Sequence, residues 1–152
     1  MGIEELDLVG AAKAGAQALK KKFPNIEFTS GRRNAADQAR AMASNIVHVR
    51  NWIAKTYAAT PESKALQAWV NAHPQADTKE AIAAGLAACM KGWSDEQKSR
   101  LSKHFSGHAF DIQPLPKGQV ADQIKAAVRA LPGLVKFLET EGGLVRWHAQ
   151  FK

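Results

Sequence analysis

Apolar side chains at Leu6, Val9, Ala12, Ala16 and Leu19 recur every three or four residues. That spacing predicts an amphipathic helix over residues 5–22, which Pro24 ends because the residue before a proline avoids the helical region. Ile26-Glu27-Phe28-Thr29 alternates apolar and polar positions and predicts a short strand leading into Ser30-Gly31. Residues 34–57 are alanine-rich and contain no Gly or Pro, which predicts one continuous helix. Thr60 as cap and Pro61 in the first turn open a further helix to about Ala72. Asp77-Thr78 opens one to about Met90, and Ser94-Asp95-Glu96-Gln97 opens a short one to about Leu101.

From Ala109 the period changes from helical to alternating. Ala109 and Asp111 face one way, Phe110 and Ile112 the other, so this strand has a polar side and a core side. Pro114 and Pro116 end it. Val120, Ile124, Val128 and Leu131 share one face of a predicted helix over 119–130, and Pro132-Gly133 breaks the chain. Residues 134–141 suit helix or strand; a strand over 136–141 is chosen, with Gly142-Gly143 as a hairpin turn and a last strand over 144–151. The implied fold class is α+β. A small antiparallel sheet is flanked by helices, a helical insertion runs from about 34 to 101, and residues 1–152 form a single domain.

Composition narrows the function classes. The net charge is +7 and the isoelectric point about 9.7, which suits an anionic partner. The lysines are scattered apart from Lys20-Lys21-Lys22, so no specific nucleic-acid footprint is recognisable. No apolar run approaches the roughly 18 residues of a membrane span. The N-terminus, Met1-Gly2-Ile3-Glu4-Glu5-Leu6-Asp7, is acidic and unlike a secretory signal, so synthesis and accumulation in the cytoplasm are expected. Cys89 is the only cysteine, which rules out an internal disulfide and a cysteine-based zinc site. A monomer is expected.

The densest chemistry lies in Ser102-Lys103-His104-Phe105-Ser106-Gly107-His108-Ala109-Phe110-Asp111, which reads S-x-H-x-x-G-x-A-x-D. His104 and Asp111 offer an imidazole nitrogen and a carboxylate oxygen, both good zinc donors, and the small residues between them allow close backbone approach. A catalytic zinc takes three protein ligands and keeps one position for water. His148, in Val145-Arg146-Trp147-His148-Ala149-Gln150-Phe151, is the candidate for the third ligand.

At these residues the chain resembles the M15-type zinc peptidases of cell-wall metabolism. These include D-alanyl-D-alanine carboxypeptidases and dipeptidases and the phage L-alanyl-D-glutamate endopeptidases; the Hedgehog signalling domain shares their fold. Ser102, His104, Gly107, Ala109 and Asp111 match the family's first metal motif. Thr29-Ser30-Gly31-Arg32-Arg33-Asn34 with Gln38 is similar to its S-G-x-R segment, and Trp147-His148 to its terminal W-H element. Residues 40–100 are unmatched.

The resemblance implies Zn2+ held by His104, Asp111 and His148, and peptidoglycan stem peptides as substrate. Arg33 is implied to bind substrate and polarise its carbonyl, Gln38 to contact the peptide, and Ser102 to support the site. A small basic chain of this kind resembles a phage endolysin, made in the host cytoplasm and acting on the wall after release. Val145 stands where many of these peptidases carry an acidic base. Some relatives place a glutamate further upstream, which leaves Glu141 and Glu139 as candidates for the general base. The resemblance favours Glu141, and a tight hairpin at Gly142-Gly143 favours Glu139. His108 is read as lining the cleft, His48 and His73 as helix-surface residues, Cys89 as a small buried hydrophobe, and Trp52, Trp69 and Trp93 as core.

Overall fold

The computed structural model describes residues 1–152 and is α+β: seven α-helices and one four-stranded antiparallel sheet. The chain forms two compact units, one from residues 1–32 and 106–152, the other from residues 33–105.

The first unit holds the sheet, with β1 Phe28–Ser30, β2 Ala109–Ile112, β3 Leu134–Glu141 and β4 Leu144–Phe151 in the order β1-β2-β4-β3. Its helices are α1 (Gly10–Lys22) and α7 (Gln119–Arg129). Alternation along the strands divides the sheet into two faces. Phe28, Phe110, Ile112, Trp147, Ala149 and Phe151 are buried in one cluster with Ala12, Ala16 and Leu19 of α1 and Ala121, Ile124 and Val128 of α7. Phe110 packs edge-on to Phe28 at 5.3 Å between ring centroids and tilted against Phe151 at 5.4 Å. Burying side chains of this size stabilises by about 1.5–3 kcal/mol each.

The second unit is helical: α2 Ala35–Ile46, α3 Trp52–Thr56, α4 Pro61–Ala72, α5 Lys79–Met90 and α6 Asp95–Leu101. The caps expected at Thr60, Thr78 and Ser94 are formed, and Asn34 supplies a further one. Asn34 accepts from the Asp37 N–H, Thr78 from that of Ala81, and Thr60 and Ser94 each complete a reciprocal capping box. Met42, Ile46, Trp52, Ile53, Leu66, Val70, Ile82, Leu86 and Met90 are buried here. Arg100 of α6 donates to the buried Glu62 of α4 at 2.6 Å, and its guanidinium holds that carboxyl below the usual carboxylate range.

Four expectations about local structure change. The first helix starts at Gly10 rather than residue 5. Leu6 closes a 3-10 turn, and the left-handed backbone of Asp7 and Gly10 (φ 49° and 54°) interrupts the helix, so Leu6 and Leu8 enter the core from a non-helical segment. The helix expected over 34–57 breaks at residues 47–51. There Arg50 donates to the carbonyls of Val70, His73 and Ala76, capping the end of α4, and this tertiary demand overrides local propensity. In α7, Ala121 takes the buried place expected of Val120, which is 55% exposed. Strand β3 begins at Leu134, not 136. Of the remaining aromatic and thiol expectations, Trp52 is core, whereas Trp69, Trp93 and Cys89 are only half-buried. His73, half-buried rather than on the surface, stacks on Trp69 at 4.3 Å.

Gly31 follows β1 where the chain passes the Leu6 backbone: a Cβ there would lie 2.3 Å from the Leu6 carbonyl oxygen. The Arg32 N–H donates to that same carbonyl at 2.8 Å, so the contact cannot open without losing a hydrogen bond. Gly31→Ala is therefore expected to destabilise the protein by about 1–3 kcal/mol, as overpacking does, read as a lower denaturation midpoint in urea. An unchanged midpoint would mean the Leu6 segment yields freely.

Candidate metal centre

Strand register builds the site. Ser30 pairs with Asp111, Asp111 with His148, and His148 with Leu138, forming one row across all four strands. The neighbours of Asp111 and His148 in sequence (Phe110, Ile112, Trp147, Ala149) point into the core, so alternation turns Asp111 and His148 to the opposite face. Both are buried all the same, at 9% and 6% exposure. Buried polar groups need partners, and here they have them. Ser30 Oγ donates to Asp111 Oδ2 at 2.7 Å. Asp111 Oδ1 faces His148 Nδ1 at 2.9 Å, and His148 Nε2 faces Gln150 Oε1 at 3.2 Å.

His104 lies on a 3-10 turn, Lys103–Ser106, that runs directly into β2 through Gly107. It is 2% exposed. The Ser102 hydroxyl oxygen accepts from the His104 N–H at 3.2 Å, and the His104 carbonyl accepts from the Arg33 N–H at 3.0 Å. Gly107 has φ +80°, and a Cβ on it would meet Arg32 Nη2 at 2.9 Å and the Asp7 carbonyl at 3.0 Å. The glycine of the motif is thus required by both backbone conformation and space.

The ligand atoms of His104, Asp111 and His148 all lie within 4.8 Å of one another, a buried group that could hold a metal ion. Two imidazoles and one carboxylate are a donor set that zinc accepts with a fourth position left open. Bonds of about 2.0–2.1 Å in a tetrahedron place donors roughly 3.3 Å apart, so the Asp111–His148 contact is already near ligand spacing and the residues fit the ion.

The other sequence candidates fall into distinct places. Glu139 pairs with Lys125 at 2.7 Å and with Arg129, both on α7, and these cations hold its carboxyl below the usual range. Lys125 also lies 5.3 Å from the centre of the Trp147 ring. Glu139 is therefore on the α7 side of the sheet, whereas His148, one residue beyond Trp147, faces away from it. An irregularity in the β3–β4 register between Leu138 and Thr140 accompanies this arrangement. Glu141 is half-buried at the end of β3, and its charge acts on His148.

Arg33 Nη1 donates to Gln38 Oε1 at 3.1 Å, and Gln38 Nε2 donates to the Tyr57 hydroxyl at 2.9 Å. Gln38 is fully buried and braces Arg33. Arg32 is engaged elsewhere, its Nε 3.0 Å from both Asp7 Oδ2 and the Asp7 carbonyl. His108 is half-buried with Nδ1 2.7 Å from Ser106 Oγ. The contacts of Tyr57 and the Ser30 hydroxyl were not legible beforehand, because each rests on a partner known only from the fold.

Burial alone would lower the pKa of His148. The hydrogen bond and charge of Asp111, the charge of Glu141 and the contact with Gln150 outweigh it, and the net shift is upward from 6.5. Comparison with protein-family models, with curated protein sequences and with solved structures gives no match.

A raised histidine pKa contributes stability that is full below the unfolded value and is lost as pH rises through the folded one. Metal binding has the opposite sign, since the imidazole must give up its proton to become a ligand. In chelator-treated protein this group's contribution to thermal stability is expected to fall as pH rises above 6.5. The stabilisation added by zinc is expected to grow over the same window. Calorimetry with and without zinc across about pH 5.5 to 8 checks both signs; a zinc-induced shift in Tm that is flat with pH would contradict the coupling.

Proposed function

We propose that the protein is a zinc-dependent peptidoglycan peptidase of the M15 type, acting as a phage endolysin on wall stem peptides at an L-alanyl-D-glutamate or D-alanyl bond. The observation that carries this reading is the buried His104–Asp111–His148 group, in a chain that also carries the S-G-x-R segment and the terminal W-H. A zinc ion there supplies Lewis acidity to the scissile carbonyl and to water. The rest is the work of this chain's side chains.

Arg33 binds substrate. Its guanidinium stays charged and offers several donors in a fixed plane, which suits a stem-peptide carbonyl or carboxylate. The Gln38 and Tyr57 brace reduces the orientational freedom that binding must remove. Glu141 is the general base and then returns the proton to the leaving amine. Two facts favour it over Glu139: its charge acts on His148, while Glu139 is neutralised by Lys125 and Arg129 on the α7 side. His108 lines the substrate path. The net charge of +7 assists approach to an anionic envelope.

A second reading, a non-catalytic metal-binding module, draws on Val145. That residue is 59% exposed and offers no proton acceptor where many related peptidases have one.

Mass spectrometry of fragments released from purified peptidoglycan separates the two. Stem-peptide cleavage that stops with chelator supports the peptidase. Zinc bound without any released fragment supports the module. Within the peptidase reading, Glu141→Gln is expected to lower the rate by about a hundredfold or more with zinc retained, and Glu139→Gln by far less. The reverse order would assign the base to Glu139.

Arg33→Ala is expected to cut activity by at least about tenfold, as loss of a charged hydrogen bond does. Arg32→Ala should act mainly on stability, by about 0–1 kcal/mol for an exposed ion pair. Equal activity losses in the two variants would contradict the assignment of Arg33.

A further inference from the structure

The face of the sheet that carries Asp111 and His148 also carries a lysine. Lys136 of β3 lies directly opposite Gln150 of β4, and Leu138 lies directly opposite His148. Residues opposite one another in an antiparallel pair share a face. Gln150 reaches the His148 ring at 3.2 Å, so it belongs to the metal face. Phe137, between Lys136 and Leu138, belongs to the other: it packs against the hydrophobic core, with the Arg129 guanidinium 5.2 Å from its ring centre. Lys136 is therefore on the metal face, diagonal to His148 at about 7–8 Å between backbone positions.

Lys136 is exposed. The nearest acid on its own strand, Glu139, is turned to the α7 side and paired with Lys125 and Arg129, so it does not claim the Lys136 ammonium. Along β3 the order Lys136, Leu138, Glu141 places the ammonium and the Glu141 carboxylate on opposite sides of His148. Both bonds named for the peptidase share one feature. The residue that leaves with the amine carries a free α-carboxylate: terminal D-alanine because the chain ends there, D-glutamate because the stem continues through its side-chain carboxyl. Only the α-carbon separates that carboxylate from the scissile nitrogen. With the scissile carbonyl at the metal centre, it falls within reach of the flexible four-carbon stem of Lys136.

We infer that Lys136 is a specificity-determining residue of this site: its ammonium binds the α-carboxylate of the leaving residue, so peptides in which that carboxylate is free are selected over those in which it is amidated. This rests on the peptidase reading and adds to it the chemical feature the site selects. A hydrogen bond between charged partners contributes enough to change affinity by about tenfold to a hundredfold, and a neutral amide forfeits most of that.

The test compares kcat/KM on peptide pairs that differ only at this carboxyl. One pair is L-alanyl-γ-D-glutamyl-L-lysine with the glutamate α-carboxyl free or amidated. The other is a stem pentapeptide ending in D-alanyl-D-alanine, with its C-terminus free or amidated. Zinc-loaded wild type is expected to favour the free acid by about tenfold to a hundredfold on whichever bond it cuts, chiefly through KM. Lys136→Met should lose that preference by slowing on the free-acid peptide alone, and Lys136→Arg should retain it. Arg146, two residues before His148 on β4, donates to the Val145 carbonyl at 2.8 Å, and Arg146→Met is expected to leave the preference intact.

Calorimetric binding of the same peptides to chelator-treated protein repeats the comparison without turnover. The free acid should bind more tightly than the amide, and Lys136→Met should abolish the difference. Equal rates on acid and amide, an undiminished preference in Lys136→Met, or its loss in Arg146→Met with Lys136→Met unaffected would overturn the inference while the peptidase reading stands. A wild type that cleaves neither these peptides nor purified peptidoglycan would overturn the peptidase reading and this inference together.

Discussion

The antiparallel register of β2 against β4 is the constraint on which the rest depends. It sets Asp111 directly opposite His148 and, on the other face, Phe110 opposite Ala149. Because side chains alternate with period two, a slip by one residue would move the carboxylate and imidazole into the core and bring Phe110 and Trp147 out of it. The hydrophobic cluster beneath α1 and α7 opposes such a slip with the combined burial of several large side chains, each worth about 1.5–3 kcal/mol. The polar row is therefore held in place by apolar packing on the other side of the same strands. Core and site are two consequences of one register, which is why polar groups as deeply buried as His148 and Asp111 can sit next to each other.

The fold also separates neighbouring residues of the same type. Glu139 and Glu141 are two positions apart, but the cations of α7 claim the first, and the second is left to influence His148. Arg32 and Arg33 are adjacent, yet the first is tied to Asp7 and the second is braced by Gln38, itself buried and held by Tyr57. In both pairs the fold gives the two members different partners. Sequence spacing alone treats the members as equivalent.

Much of this was legible in the sequence where one local rule acts alone. The caps at Thr60, Thr78 and Ser94, the alternation from Ala109 to Ile112, the Gly-Gly turn and the close spacing of His104 and Asp111 depend on neighbours in the chain. Expectations changed where distant segments compete. The break after Ile46 serves Arg50, whose carbonyl acceptors lie 20 to 26 residues away. The early start assigned to α1 mistook Leu6 and Val9 for a helical face, because the core takes Leu6 and Leu8 from a segment containing left-handed Asp7. The Ser30 hydroxyl meets Asp111 across 81 residues. No local pattern encodes that contact.

The most direct test of the metal centre is X-ray absorption at the zinc edge on protein loaded with one equivalent of zinc. The expected first shell contains only nitrogen and oxygen at about 2.0–2.1 Å, with outer-shell scattering from two imidazole rings and none from sulfur. A single imidazole, or a sulfur scatterer at about 2.3 Å from Cys89, would place the ion elsewhere and contradict a centre built from His104, Asp111 and His148.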